Sequence, residues 1–476
     1  MAVSTIDSAP VEGAGLTRDE RAARGKAART AVPRSSHADF ERPAGCPAPL
    51  DLLAQQDSAR VPELVPLRYG RMAVSAFTYF RGAALPMTAD LANTPRTGFT
   101  GQICGDAHLL NFGLFSSPER RLVFDINDFD ETLPGPWEWD VKRLGASVEI
   151  AGRDNGFTPR QRRDTVLAAI GEYRRAMRVF ARSTALEVWY THADAESVRA
   201  VYTQTLDAAR RRKLDRTLAK ARARDNLGAL NRFTEMVDGR PRIASDPPRI
   251  VRIAELAEIG QPPDEVLGRL QVILRAYRDM LEPERRALLD RYSVADIARK
   301  VVGVGSVGTR CWMVLLLGND DRDPLFLQAK EANSSVLEGF AGPSRYGNAG
   351  RRVVVGQRLM QTVSDVFLGW VRVQGFDGRP RDFYLRQLRD GKGSAAVETM
   401  DVTAMLAYGR LCGWTLARAH ARTADPIALA AYLGAGAVFE EAIADFAVAY
   451  ADQNERDYGD LLAAIAAGRV VAGADR

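Results

Sequence analysis

A few short stretches of this 476-residue chain carry residue types suited to moving a phosphoryl group. That chemistry needs a backbone loop over the phosphates, a cation against them, carboxylate and amide oxygens for magnesium, and a carboxylate that orients or deprotonates the acceptor. In GDAHLLNFG, Asp106 and Asn111 set a carboxylate and an amide a few positions apart, with His108 between them. FDINDFDE follows, placing Asp125, Asp128 and Asp130 around Phe129. Much later, GVGSVGTR supplies Gly303, Gly305 and Gly308 in GxGxxG spacing with Ser306 inside, and LFLQAKEA carries Lys330.

The glycine pattern is weak alone and gains meaning from its context. A dinucleotide-binding fingerprint leads into a helix, whereas this one leads into TRCWMVLLLG, which is apolar like a strand. A strand, glycine loop and strand is the kinase arrangement, in which glycines let the backbone approach phosphate oxygens. No GxxxxGK[ST] occurs, which disfavours a P-loop NTPase. Lys330, on the following strand, is placed to grip nucleotide phosphates. Its expected partner is Glu338; Glu331 would point to the opposite strand face, and Gln357 is a neutral substitute. Against this stand plainer readings: a polar turn at Asp106–Asn111, an ordinary strand-end lysine, or calcium at the acidic run, which lacks EF-hand spacing.

Asp106 to Asn111 resembles the HGDxHxxN catalytic loop of aminoglycoside and choline phosphotransferases. The resemblance implies that Asp106 is the acceptor-orienting base and Asn111 a magnesium ligand, with His108 in a scaffold hydrogen bond or in proton transfer. FDINDFDE resembles the IDFDD metal segment of the same enzymes, which implies Asp128 as principal magnesium ligand and Asp130 as a second, with Asp125 capping a turn or pairing locally. Asp140 in WEWDVKRL matches the position of a buried acid that braces the catalytic loop. GWTLARAHART resembles the LARLHA helix that follows the hinge, which makes His420 a packing histidine. From about Leu67 onward the chain also resembles an uncharacterised bacterial family, domain of unknown function 2252, through FTYFRGAA, CGDAHLLNFG, FDINDFDET, EWDVKRLGAS, VGVGSVGTR, LQAKEA, GQRLMQ and GWTLARAHART. That family brings no settled activity.

The elements that must position these residues come in an unusual order, with the catalytic and metal segments ahead of the glycine hairpin. A circular permutation accounts for it, since folded domains often tolerate joined termini and a new break in an exposed connection. The expected fold is α+β: a two-lobed protein-kinase-like fold, circularly permuted, with a small antiparallel β-rich nucleotide lobe and a large helical lobe. Residues 1–60 read as a flexible N-terminal leader, 61–295 as a helical catalytic lobe, 296–395 as the nucleotide-binding lobe, and 396–476 as helices completing the helical lobe. The expected ligands are ATP, Mg2+ and an unknown acceptor, a small molecule in preference to a protein. AMP transfer by the same fold and nucleotide binding without transfer are the alternatives.

Composition narrows the class further. Sixty-five basic against 60 acidic residues leave a charge of +5, too little to predict a nucleic-acid partner, and the arginine-rich run Arg210–Arg224 reads as a solvated face. The four cysteines form no CxxC pair, which points to a reduced, cytoplasmic setting. No run of about 18 uninterrupted apolar residues occurs, so no membrane association is expected.

Overall fold

The computed structural model describes residues 13, 15–196, 198–199, 207–256, 263–375, 378–388 and 391–474. Strand β1 (Thr100–Ile103) pairs antiparallel with β4 (Leu133–Pro136), Ile103 opposite Leu133. Nested between them, β2 (Phe112–Ser116) and β3 (Leu122–Ile126) form a hairpin, with β5 (Ala193–Asp194) on its edge. Because Ile103 ends β1 and Leu133 begins β4, the Asp106 loop and the Asp128 loop leave the same end of one ladder. The strands on either side of the Asp106 loop thus have different partners, β1 pairing with β4 and β2 with β3.

Pro136 feeds the helix Trp137–Asp154, which is buried along nearly its whole length. The helices Pro159–Phe180, Val402–Ala421 and Val438–Ala466 enclose it. Their starts are legible: Thr158 and Gln161 form a reciprocal capping box with Pro159 in the first turn, and the Asp401 side chain caps Val402–Ala421.

Residues beyond Arg240 build the larger sheet. A hairpin of β6 (Thr234–Val237) and β7 (Arg240–Ile243) precedes β8 (Ile250–Arg252), β9 (Ser293–Lys300), β10 (Cys311–Leu317), β11 (Pro324–Ala332), β12 (Gly369–Gln374), β13 (Pro380–Gln387) and β14 (Gly393–Ser394). Six of these form one antiparallel sheet in the order β12-β13-β11-β10-β9-β8, while β14 returns to pair with β2. The glycine stretch joins β9 to β10, and the helix Ala349–Met360 lies between β11 and β12 in sequence and packs on β12 and β13. The architecture is mixed α+β with antiparallel sheets.

Two expected boundaries move. The β-rich region begins before residue 296: β8 extends the sheet, and Ile253, Leu256, Tyr277, Leu281 and Leu289 pack into the same core as Leu327, Phe383 and Leu385. Apolar helical spacing shows that a face is buried but not against which core. The stretch expected as a flexible leader also folds, apart from residues 1–12 and 14, which lie outside the described residues. Its helix Arg18–Ala31 packs on Pro426–Leu433, with Arg21 ion-paired to Asp425 at 2.7 Å. Small residues rather than an apolar stripe make this contact: a Cβ on Gly25 would lie 2.2 Å from the Ala428 carbonyl.

Among the described residues no single helix is long and apolar enough to cross a membrane.

Candidate functional site

Asp140 fixes the first loop. Projecting from the buried Trp137–Asp154 helix, its two carboxylate oxygens accept the Cys104 N–H at 2.8 Å and the Gly105 N–H at 2.9 Å, and His420 Nε2 lies 3.2 Å away. His420 contacts Tyr173 through Nδ1 at 2.9 Å and is fully buried, a packing histidine at the brace. One helical turn beyond Asp140, Arg143 donates from Nε to Asp106 Oδ1 at 2.5 Å and from NH2 to the Phe80 carbonyl. The Asp106 carbonyl accepts both the His108 N–H at 2.8 Å and the Asn111 Nδ2 at 2.7 Å. With its amide nitrogen so engaged, Asn111 keeps its side-chain oxygen for another partner.

Burial raises the Asp106 carboxyl above its ordinary pKa, opposed by Arg143 and Arg81. His108 is buried, and burial together with those two arginines holds its imidazole well below the ordinary value, so it is neutral. Among the described residues its Nδ1 has no hydrogen-bond partner, and its Nε2 stands 3.8 Å from Asp106 Oδ2.

The second loop brings the acids to the sheet. The carboxylate of Asp130 is ion-paired with Lys330 Nζ from β11 and accepts from the Tyr384 hydroxyl of β13 at 2.7 Å. Ser306 of the glycine loop accepts from Lys330 Nζ at 2.7 Å and donates to Asp130 at 3.3 Å. Burial alone would raise the pKa of Asp130, but the charge and hydrogen bond of Lys330 hold it below the usual range. Lys330, conversely, is held well above its ordinary value by Asp128 and Asp130 in spite of burial. Asp128 accepts the Asp130 N–H through Oδ1 at 3.1 Å, while its Oδ2 lies 3.9 Å from Lys330 Nζ. Burial and the neighbouring Asp130 raise its pKa. With both Asp130 oxygens engaged, Asp128 is the carboxylate left open to a cation.

Glu338 is not the partner of Lys330. It accepts the Ser335 N–H at 2.9 Å and lies 3.8 Å from Arg352 Nε, while Lys330 is served by the aspartates of the metal loop. The chain turns back after β11, where Ser335 donates to the Glu131 carbonyl, and this turn holds Glu338 on Ser335 and near Arg352. Glu331 takes Arg310 and Arg381 on the opposite strand face, and Gln357 donates to Gln361. Asp125 pairs locally, accepting the Ile126 N–H at 2.9 Å, and also reaches far along the chain: it binds Arg418 of the Val402–Ala421 helix and accepts the Thr362 N–H at 3.2 Å.

The glycine loop is anchored from outside the sheet. Arg71 donates to the Gly303 carbonyl at 2.7 Å, the Val61 N–H to the Gly308 carbonyl at 2.8 Å, and Arg60 to the Val307 carbonyl. Gly303 and Gly308 have φ of +66° and +88°, which only glycine adopts without strain. Val304 and Val307 are buried against residues from Leu53 to Ala83. One cleft of about 630 Å³ joins the parts, lined by Asp106, Asp128, Asp130, Gly305 and Ser306.

Sequence reasoning missed Arg143, Tyr384 and Arg352, whose guanidinium binds the Asp130, Thr132 and Asn333 carbonyls. Arg143 was accessible, since it lies three residues beyond Asp140 on one helix face. Tyr384 becomes visible only once β13 is registered on β11, where it stands opposite Lys330. Among the described residues no group of three or more His, Cys, Asp and Glu side chains could hold a metal ion, so Asp128 would need Asn111 and ligand oxygens beside it.

Neither the curated proteins nor the solved structures contain a significant match. The family of uncharacterized proteins conserved in bacteria, DUF2252, matches residues 60–464, and the chain belongs to it.

Proposed function

We propose that the protein is an ATP- and magnesium-dependent phosphotransferase on a circularly permuted kinase-like fold, acting on a small-molecule hydroxyl. One observation carries the reading: Lys330 and Ser306, from the glycine hairpin and its next strand, meet Asp128 and Asp130 in the cleft that Asp106 also lines. The order of hairpin, lysine strand, helix and two further strands supports a nucleotide lobe.

The residues present fit magnesium. It prefers hard oxygens and keeps waters and phosphate oxygens as ligands, and Asp128 Oδ2 is a cleft carboxylate oxygen without a hydrogen bond among the described residues. Asp128 and Asn111 would hold the ion, whose contribution is to neutralise charge on the phosphates. Lys330 would release Asp130 in part to meet the same phosphates, and Ser306 would lift from both. Asp106 would take the proton set free as the acceptor oxygen bonds to the γ-phosphorus and the bond to the ADP oxygen breaks. Such transfer is mainly positioning and electrostatics, which suits a loop braced by Asp140 and an acid oriented by Arg143.

A second reading, AMP transfer with the nucleotide reversed, has its own support. Along the strand face of Lys330, where a base would extend, stand Gln328 and the half-buried cation Arg386, hydrogen bonded at 3.1 Å. Phosphates suit that pair better than an apolar base does. Thermal shift with ATP and magnesium, on the parent and on Lys330→Met, tests nucleotide binding. Label transferred from γ-labelled ATP supports phosphoryl transfer; label from α-labelled ATP supports the second reading; no shift and no transfer would end both.

A further inference from the structure

One cation lining the cleft with Asp106 has no direct partner among the described residues. Arg81 lines the cleft, and among the described residues its guanidinium has no hydrogen-bond or salt-bridge partner. Its Nε is buried and unsatisfied. Leaving a buried donor unpaired is costly, the more so when it is charged, so an unpaired arginine at a cleft marks a place where a ligand completes the structure. Nearby arginines are already committed: Arg143 to Asp106, Arg68 to Asp57 at 2.6 Å, and Arg60 to the Val307 carbonyl.

The direction in which Arg81 reaches assigns it to the acceptor. Its backbone carbonyl touches the glycine loop, where a Cβ on Gly305 would come within 3.1 Å of it. Arg81 shares the cleft lining with Asp106, and the carboxylates whose charge acts on its guanidinium are Asp106 and Glu398, with Asp128 and Asp130 not among them. Burial draws its pKa below the ordinary value, with Asp106 pulling the other way. We infer that Arg81 is the binding residue for an anionic group, a phosphate or carboxylate, on the acceptor whose hydroxyl meets Asp106. Arg60, which also lines the cleft, adds positive charge to it, partly matched by Asp57 at 3.5 Å. Planar guanidinium donors match either anion by paired hydrogen bonds. The inference rests on the phosphotransferase reading for the word acceptor, but the anion site is tested without it.

Inorganic phosphate and acetate are titrated against the parent, Arg81→Gln and Arg81→Lys in thermal-shift measurements, each alone and with a non-hydrolysable ATP analogue plus magnesium. The inference expects a saturable rise with at least one anion that persists beside the analogue, is lost in Arg81→Gln and is partly restored in Arg81→Lys. The anion that acts separates a phosphate-bearing from a carboxylate-bearing acceptor. Equal unliganded midpoints for the variants and parent exclude a folding defect; a lowered midpoint for Arg81→Gln is met by reading Arg81→Lys alone, whose anion affinity must fall several-fold. Three outcomes overturn the inference: no anion response in the parent, an anion response displaced by the analogue, or loss of the analogue's own shift in Arg81→Gln, which would make Arg81 a nucleotide ligand. Absence of any analogue shift in the parent defeats the phosphotransferase reading and leaves the anion arm to be read by itself.

Discussion

Lys330 and Asp130 stand 200 residues apart in the chain and form an ion pair, with the Tyr384 hydroxyl on the same carboxylate at 2.7 Å. Each compensates the other for hydration lost on burial. Removing one member of a buried pair leaves the other charged and unmatched, so Lys330→Met is expected to lower stability by about 3–5 kcal/mol. Urea denaturation reads this, and adding Asp130→Asn to the same protein should return a large part of it. A Lys330→Met protein as stable as the parent would mean that packing alone sets the ammonium in place.

Asp106→Asn separates chemistry from architecture. The amide oxygen can still accept from Arg143, and the loop is held through backbone groups by Asp140, so the melting midpoint should stay close to the parent's. Turnover with γ-labelled ATP should fall by about 10²- to 10⁴-fold, the usual contribution of a positioned proton acceptor. Undiminished transfer would remove Asp106 from the reaction.

Local patterns made the glycine hairpin, the lysine strand and the buried helix after Pro136 legible, because each is written in apolar spacing or turn chemistry along a continuous stretch. Long-range partners were not. Asp125 looked like a turn residue because its partner, Arg418, lies on a helix near the far end of the sequence. Glu338 looked like the lysine's partner because separation along the chain was the available measure, and β11's turn back toward the Asp130 loop is a tertiary fact. The pairing of β1 with β4 was hidden as well: TGQI and LPGP are too short, and too rich in glycine and proline, to announce a ladder. The helix Arg18–Ala31 escaped notice since its contact uses small residues within a strongly polar, arginine-rich stretch.

Glu131 sets a pH dependence. Burial raises its carboxyl from 4.5 to about 7, although Arg352 and the Val336 N–H, 2.7 Å from Oε2, favour the ionised form. The folded protein thus keeps this proton to higher pH than the unfolded chain. Its contribution to stability is complete below about 4.5 and is lost as pH rises toward 7. Glu131→Gln cannot ionise and can still accept from Val336. The stability of the variant relative to the parent should therefore grow by on the order of 3 kcal/mol between those limits and then level off. Denaturation midpoints at a series of pH values check this; a gap that stays constant would show that Glu131 is ionised in the fold.

Magnesium dependence should divide Asp128 from Asn111. Asp128 carries a cleft oxygen that no hydrogen bond occupies among the described residues, whereas Asn111 ties its amide nitrogen to the Asp106 carbonyl and could offer one neutral oxygen. Charge dominates the binding of a hard cation. Asp128→Asn is therefore expected to abolish the part of the ATP thermal shift that requires magnesium. The same change relieves the repulsion between Asp128 and Asp130, so the unliganded midpoint should hold or rise. Asn111→Ala should instead raise the magnesium concentration for half-maximal shift roughly tenfold, the size seen when a supporting contact at a metal site is lost. It should also loosen the Asp106 loop, lowering transfer even at saturating magnesium. Equal magnesium curves for Asp128→Asn and the parent would place the ion elsewhere and leave the open carboxylate to serve Lys330 alone.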